Sequence, residues 1–471
     1  SGSASLGGTL DLRPQYTYYA SGTTWQILSA AGGSTGTFST VQYTDTPEHW
    51  VFVPVYTSDG VYVSLQRESF SLSALSNSAA AVGWGLDAAA YSATGPMATL
   101  ITALDYSSGE VTNYALNVLN AQVYDAFTQP VFEAGRALTV IQRTGLLGGA
   151  GGVDQAFANG LDMGPQSLAV LTGMHAAEKD KTLPIGDTNL SLGRLSVFIK
   201  TVGLHSSQEA SSGQTGYDSL AGGVTGGLVY RTTEHFSVGL APGFVSQSVK
   251  LYNVGGGTGG VQDWSLALLG SYVRDVWHVE GSIRAGYDVY KSSRNLPLPT
   301  GTYTAKGQWN GWNVNVALAG GYDFKFDDYV VGPVASVEWQ RMYEAPFTET
   351  GAGTMGQSVR RRDGASLNTA LGLRFARTFE TRRGEITPEI RAAWGAQWLG
   401  QSQGVQAAFI GNPTSTYTAK SADQRYNSLL LDAGVSVRLS DSMSGNIRGG
   451  VELFRPGYSS QAVSVGLKYT F

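Results

Sequence analysis

The chain has 471 residues, a formal net charge of −5, only 14% charged residues, 62 glycines and no cysteine. Those figures exclude a disulfide scaffold and a thiolate metal site, and they give no basic footprint for nucleic acid. No stretch approaches the roughly 20 apolar residues of a transmembrane helix, but a near-neutral mean hydropathy of −0.08 is what strands alternating apolar and polar residues would give.

In chain order, residues 1–70 come first. Short strand-like runs lie at Leu10–Leu12, Tyr16–Tyr19, Trp25–Leu28, Gly36–Phe38, Trp50–Tyr56 and Val61–Gln66, split by Gly and Ser. Short strands at tight spacing predict solenoid rungs or a small sandwich. The chain opens Ser1-Gly2-Ser3, with no basic n-region or apolar core of a signal peptide. It begins inside what reads as running β structure, so an effector part is expected upstream.

Residues 71–150 turn helical. Leu100, Leu104, Leu116, Leu119, Val123, Phe127, Phe132, Leu138 and Ile141 follow helical spacing, and Pro96 stands at a helix start. The stripe is expected to pack beneath the β segment rather than form a binding groove, and Pro130 to kink or break the last helix. Gly148–Gly152 reads as a flexible stretch, and residues 154–180 hold a candidate helix, Ser167–Glu178. Glu178, Lys179, Asp180 and Lys181 are candidate partners for a charged lumen.

Residues 193–471 alternate with period two. At the C-terminus Val463, Val465, Leu467, Tyr469 and Phe471 share one face, and Ser464, Gly466, Lys468 and Thr470 the other. Turn signals predict twelve strands, near 193–206, 217–232, 235–251, 260–274, 277–294, 302–326, 329–344, 358–379, 384–399, 423–439, 443–455 and 459–471. An even count suits a closed antiparallel barrel. Short turns at Thr232–Glu234, Asp275–Val276, Asp327–Asp328, Thr381–Arg383 and Ser440–Ser442 alternate with longer loops at Ser207–Gly216, Asn253–Gly259, Asn295–Gly301, Ala345–Gln357 and Gly400–Ala422.

The polar face carries Glu338, Arg374, Glu389, Arg391, Arg438, Arg448 and Glu452 at mid-strand. A polar lumen accepts such charges as ion-pair networks; the dry core of a soluble sandwich does not. Aromatic residues near strand ends match interfacial girdles. The fold expected is therefore mainly β: a 12-stranded antiparallel transmembrane β-barrel with an N-terminal β-solenoid fragment and an α-helical linker or plug.

Three stretches carry a family resemblance. Leu10-Asp11-Leu12, Tyr18, Gly22-Thr23-Thr24-Trp25-Gln26-Ile27-Leu28 and Gly36-Thr37-Phe38-Ser39 are similar to the end of passenger β-helices. Ala115-Leu116-Asn117-Val118-Leu119-Asn120-Ala121-Gln122-Val123-Tyr124 is similar to a helical linker motif, departing at Asn120, Ala121 and Gln122. The twelve strands end in Ser464, Gly466, Tyr469 and Phe471. In this order they resemble the C-terminal part of a classical (type Va) autotransporter of Gram-negative bacteria. The resemblance implies residence in the outer membrane, with its lipid as partner, and a passenger of the same chain displayed at the cell surface. It further implies periplasmic chaperones, a barrel assembly machinery reading Ser464, Gly466, Tyr469 and Phe471, and a helix threading the lumen.

The expected division is 1–70 passenger end of autochaperone type, 71–150 helical linker, 151–192 linker and lumen-threading helix, and 193–471 translocator barrel. The alternative function is an outer-membrane pore or adhesin barrel with an accessory N-terminal module. No catalytic, metal or cofactor site is expected: the five histidines lack zinc spacing, and neither a G-x-S-x-G elbow nor a P-loop lysine occurs. One candidate reaction is self-cleavage by asparagine cyclisation, at Asn159 or Asn189 with Asp187 nearby. An uncleaved passenger is preferred.

Overall fold

A computed structural model describes residues 2–44, 47–146, 195–211, 214–274, 276–326, 328–382, 384–402, 404–420 and 425–471. The N-terminal strands are β1 (Ala4–Leu6), β2 (Thr9–Leu12), β3 (Thr24–Ser29), β4 (Ser34–Gly36), β5 (Thr40–Tyr43), β6 (Trp50–Thr57) and β7 (Gly60–Arg67). β1 pairs β4 and β2 pairs β5, both parallel, with Ala4 opposite Ser34 and Thr9 opposite Thr40. Parallel pairing of segments one coil apart is the solenoid expected from the sequence. An antiparallel sheet, β3-β7-β6, then closes it. Its inner face is a cluster of Trp50, Phe52, Val63 and Leu65, with Leu10, Leu12, Tyr19 and Trp25 packed against them.

Four helices follow: α1 (Asn77–Ala89), α2 (Gly95–Asp105), α3 (Gly109–Val118) and α4 (Thr128–Arg143). Ser76 and Ser108 cap α1 and α3 through their hydroxyls, and Pro96 stands in the first turn of α2. Pro130 neither kinks nor breaks its helix. It lies in the first turn of α4, where a missing N–H costs nothing.

The barrel consists of β8 (Leu195–Gln208), β9 (Gly216–Arg231), β10 (Phe236–Tyr252), β11 (Gly257–Arg274), β12 (Trp277–Leu298), β13 (Gly301–Tyr322) with the short β14 (Phe324–Phe326), and β15 (Tyr329–Glu344). After β16 (Phe347–Thr348) and β17 (Gln357–Val359) come β18 (Arg362–Arg377), the short β19 (Phe379–Thr381) and β20 (Gly384–Ser402). After β21 (Val405–Phe409) and β22 (Thr416–Ala419), β23 (Tyr426–Arg438), β24 (Met443–Leu453) and β25 (Tyr458–Thr470) finish the wall. Long strands pair with their neighbours throughout, β13 pairs β15, and β25 pairs β8 antiparallel from Tyr458–Gln208 to Thr470–Ser196. Twelve long strands thus form a closed ring with no edge.

Two connections differ from expectation. Asn253–Gly259 and Asn295–Gly301 are not long loops: pairing runs on to Leu251–Gly257 and Leu298–Gly301, leaving tight turns. Glycine and serine near the tips read as loop signals, but the ladder continues through them. As a result β12 and β13 are 22 residues each, about 70 Å of strand where roughly 10 residues would cross a bilayer. They stand well clear of the membrane at the end where the longer connections gather.

That end also carries a second sheet, β16-β17-β21-β22, built from the connections 345–361 and 403–425. The helical stripe does not simply lie beneath the solenoid. Leu100, Leu104, Leu116, Leu119, Val123 and Phe127 share one buried cluster with Met355, Val405, Phe409 and Tyr417 of these connections and with Tyr290 and Trp309 of the barrel. Helical spacing specifies that a face is buried, not against what. The approach is close at Gly85 of α1, where a Cβ would stand 3.0 Å from the Tyr417 ring and 3.2 Å from that of Phe409.

Two outcomes are expected. Phe409→Ala should weaken the seating of α1–α3 by about 3–5 kcal/mol, read as faster proteolysis within residues 70–120 while the barrel stays resistant. His49, buried beside Thr112 at 3.2 Å and against Phe70, is held neutral because burial pushes it below its ordinary 6.5, outweighing Asp105, Glu48, Glu68 and Asp87. The unfolded chain therefore takes up the proton first, and the solenoid–helix contact should lose stability as pH falls through about 6.5; thermal melts followed by Trp50 fluorescence should lose that dependence in His49→Gln.

Candidate functional site

The outward side chains decide how the barrel sits. Phe244, Trp264, Tyr287, Trp312 and Tyr343 stand opposite one another across β10, β11, β12, β13 and β15. A second belt nearer the short turns holds Phe236, Tyr272, Trp277 and Tyr322. Between the belts, the outward residues of β10–β13 are all apolar, among them Leu240, Leu266, Leu268, Ile283, Val316 and Leu318. On β12 the belts are ten residues apart at Trp277 and Tyr287, about 33 Å of strand, or about 25 Å of height at a tilt near 40°. That is the thickness of an outer-membrane apolar band.

The inward side is polar, and α4 runs through it. Its N-terminal end lies toward the long connections, where Gln247 Nε2 donates to the Pro130 carbonyl at 3.0 Å. Its C-terminal end lies near the short turns, where Lys468 Nζ donates to the Leu146 carbonyl at 3.0 Å. Leu138 and Ile141 meet Val202, Leu204, Ala221, Val245 and Ala370 of the wall. Glycines make room: a Cβ on Gly135 would stand 2.6 Å from Arg284 Nη2, and one on Gly243 2.6 Å from Gln142 Nε2.

Each charge on α4 meets opposite charge. Glu133 faces Arg455 at 3.6 Å, and that guanidinium lies 3.8 Å over the Tyr426 ring and 3.6 Å over that of Tyr458. Arg136 lies in the field of Glu338, Glu452 and Glu133, with its Nε and Nη2 buried and donating to no partner within hydrogen-bond distance among the described residues. Arg143 pairs Glu280, both fully buried. Beyond it, Lys200 Nζ donates to Thr144 Oγ1 at 2.7 Å. Lys200 and Lys468 therefore place cations at the helix C-terminus, where the exposed carbonyls favour them.

The structure brings most of the sequence-derived lumen residues into two groups. Glu389 binds Arg374 at 2.8 Å, Arg391 at 2.5 Å and Arg448 at 3.2 Å; Arg374 also reaches Asp323 at 2.8 Å, and Arg448 pairs Asp432. Glu338 and Glu452 belong to the group around Arg136, with Gln340 and Asn315 donating to Glu338. Arg438 stands apart, half-exposed near the short turns and paired with Glu385. Ser464 is buried on the lumen face, Gly466 lies against Lys200 and Asn446, and Tyr469 and Phe471 face outward edge to face at 5.1 Å. Asn159, Asn189, Asp187, the helix Ser167–Glu178 and the charges Glu178 to Lys181 lie outside the described residues. The described lumen helix is Thr128–Arg143, upstream of the 151–192 segment. Among the described residues no group of three or more His, Asp or Glu is arranged to hold a metal ion.

Sequence reasoning missed Glu133, Arg136 and Arg143, whose polar face opposite Leu138 and Ile141 was the available signal. It also missed the clamp where the chain leaves α3. Arg294 is bidentate to Glu349 at 2.7 and 3.1 Å and donates to the Val118 carbonyl at 3.1 Å. Tyr124 donates to the same carboxylate, and Gln357 donates to the Leu119 carbonyl.

The fold and its occupied lumen define the class: an outer-membrane translocator β-barrel. A family model, "Autotransporter beta-domain", matches residues 197–450, more than half of the chain. The chain belongs to the autotransporter family, whose barrels lie in the outer membrane of Gram-negative bacteria. No curated protein matches it by sequence. Solved structures similar to it include the translocator domain of NalP from Neisseria meningitidis, 15% identical over 64% of this chain and 93% of that one, with a TM-score of 0.49. The β domain of BrkA from Bordetella is 17% identical over 59% and 100%, TM-score 0.45, and the transport unit of AIDA-I from Escherichia coli 16% over 65% and 99%, TM-score 0.42.

The Arg143–Glu280 pair should be costly to break from one side. Arg143→Met strands a buried carboxylate, at about 3 kcal/mol, and ion conductance through the barrel in planar bilayers should rise; the double variant with Glu280→Met should recover most of the loss.

Proposed function

We propose that the chain exports its own N-terminal passenger and displays it at the cell surface. The supporting observation is the path of the backbone: solenoid and α1–α3 at the end of the long connections, α4 in the lumen, and β8 starting at the end of the short turns. Short turns belong on the periplasmic side of such barrels, so the solenoid lies outside the cell. On this reading residues 1–70 are the end of the passenger, 71–150 the linker, of which α4 threads the lumen, 151–192 further linker, and 193–471 the translocator. The uncovered parallel edges of β1 and β2 suit a preceding rung of the same array, and rungs that fold one on another outside the cell give export its direction. The enzyme question falls to the passenger; this part acts as a transport barrel.

The partners are the passenger, periplasmic chaperones and a barrel assembly machinery. Ser464, Gly466, Tyr469 and Phe471 are the assembly signal in this proposal, because they lie on the strand that must find β8 to close the ring. The lumen charges hold α4 and keep the finished barrel shut. The rival reading, a pore with an accessory module, leaves the lumen for a solute, and α4 fills it.

Protease accessibility on intact cells tests the reading, with one tag inserted near Ser34 and another near Asp441. The first tag should be shaved off and the second protected until the outer membrane is opened. Protection of both would put the N-terminal module in the periplasm and sink the export function.

A further inference from the structure

The chain is acidic overall, yet the outward faces of β10, β11, β12 and β13 carry four charged residues, all cationic: Lys250, Arg274, Lys291 and Lys306. Arg274 lies at the short-turn end. The three lysines lie beyond the upper aromatic belt, on the stretch these hairpins extend past the membrane. Lys250 stands opposite Thr258, Thr258 opposite Ser293, and Ser293 opposite Lys306, so one register line joins two lysines through two hydroxyls. Lys291 is two residues nearer the membrane on the same face. Lys250 is six residues beyond Phe244, about 20 Å of strand and about 15 Å of height above the belt. One outward carboxylate, Asp218 on β9, stands directly opposite Lys250 and is engaged by His205 at 3.2 Å.

The same place is concave. A shallow, open groove of about 630 Å³ is lined by Lys250, Tyr252, Asn253, Gly256, Thr258, Ser293 and Asn295. Tyr252 is 49% exposed, and the Lys250 ammonium lies 5.4 Å from its ring centre. Asn253 Oδ1 is buried and accepts no hydrogen bond. An aromatic face, amide and hydroxyl groups and a cation in one groove are the chemistry that binds a phosphorylated sugar.

We propose that this groove and the Lys291–Lys306 face seat the phosphorylated saccharide headgroup of an outer-leaflet glycolipid, with the acyl chains lying against the apolar band below. The height fits a membrane-bound headgroup, and the cationic side chains of β10, β12 and β13, with Asp218 taken up by His205, fit its phosphates. The seat would fix how far the β10–β13 hairpins stand above the membrane, and with them the surface on which α3 rests. The inference depends on the orientation proposed above.

The test uses the purified full chain in neutral detergent, titrated with lipopolysaccharide carrying a phosphorylated inner core. The same glycolipid stripped of phosphate, and inorganic phosphate as competitor, are the comparison arms. Removing the phosphates should raise the half-saturating concentration at least about tenfold, and so should the combined Lys250→Gln, Lys291→Gln and Lys306→Gln variant. Tyr252→Ala, with the lysines intact, should weaken binding about threefold or more. These residues are exposed, and retained heat-modifiability checks that each barrel is closed. Equal binding by parent and lysine variant, or by phosphorylated and stripped glycolipid, overturns the proposal; an unchanged Tyr252→Ala overturns the groove as the sugar seat. Displacement by millimolar inorganic phosphate overturns the lipid as its occupant. Orientation is read separately by Thr302→Cys, exposed at the tip of the β12–β13 hairpin and outside the groove, in a chain with no cysteine, which should react with an impermeant maleimide on intact cells. Labelling without glycolipid binding sinks the seat alone; no labelling until the membrane is opened sinks the orientation and the seat with it.

Discussion

Everything here depends on one constraint: a strand in hydrocarbon cannot leave a backbone N–H or C=O unpaired. The first and last strands must therefore meet, and β25 lies along β8 over its whole length. Closure separates two environments that alternate residue by residue. Outward positions face lipid and are apolar between two aromatic belts. Inward positions face an enclosed space that only polar groups or a guest can fill.

The guest is α4, and its fit follows from the same enclosure. A helix in a closed polar lumen must match its wall, because an unpartnered buried charge is costly. Glu133, Arg136 and Arg143 each meet opposite charge at successive depths, and Lys200 and Lys468 take up the C-terminal carbonyls. These two lysines come from the first and last strands, so the helix end is gripped by the seam that closes the barrel. Holding the plug and closing the wall thus share residues.

At the end of the long connections the logic changes from charge to apolar burial. α1–α3 are too small to form a core alone. They complete it with Phe409, Tyr417 and Met355 from the barrel's own connections. The Arg294–Glu349 pair then fixes the point where the chain turns from α3 toward the lumen. The solenoid end is seated on the barrel rather than tethered to it.

Period-two alternation, the aromatic positions and the turn residues were enough to count twelve strands and assign their two faces, because each of these depends on a few consecutive residues. Leu467 and Tyr469 had to face one way and Ser464 and Gly466 the other whatever the rest of the chain did. The mid-strand charges could be placed inside on the same ground, but their partners could not. Glu389 meets Arg448 across 59 residues and Arg143 meets Glu280 across 137, distances at which no local pattern carries information. For the same reason Pro130 was read as a helix breaker and Asn253–Gly259 as a loop: a neighbouring strand or a helix's first turn decides what such residues do. The sequence alone determined the alternation, and with it a membrane barrel. The tertiary structure decided which helix fills it and what that helix touches, because those contacts exist only once the ring is closed.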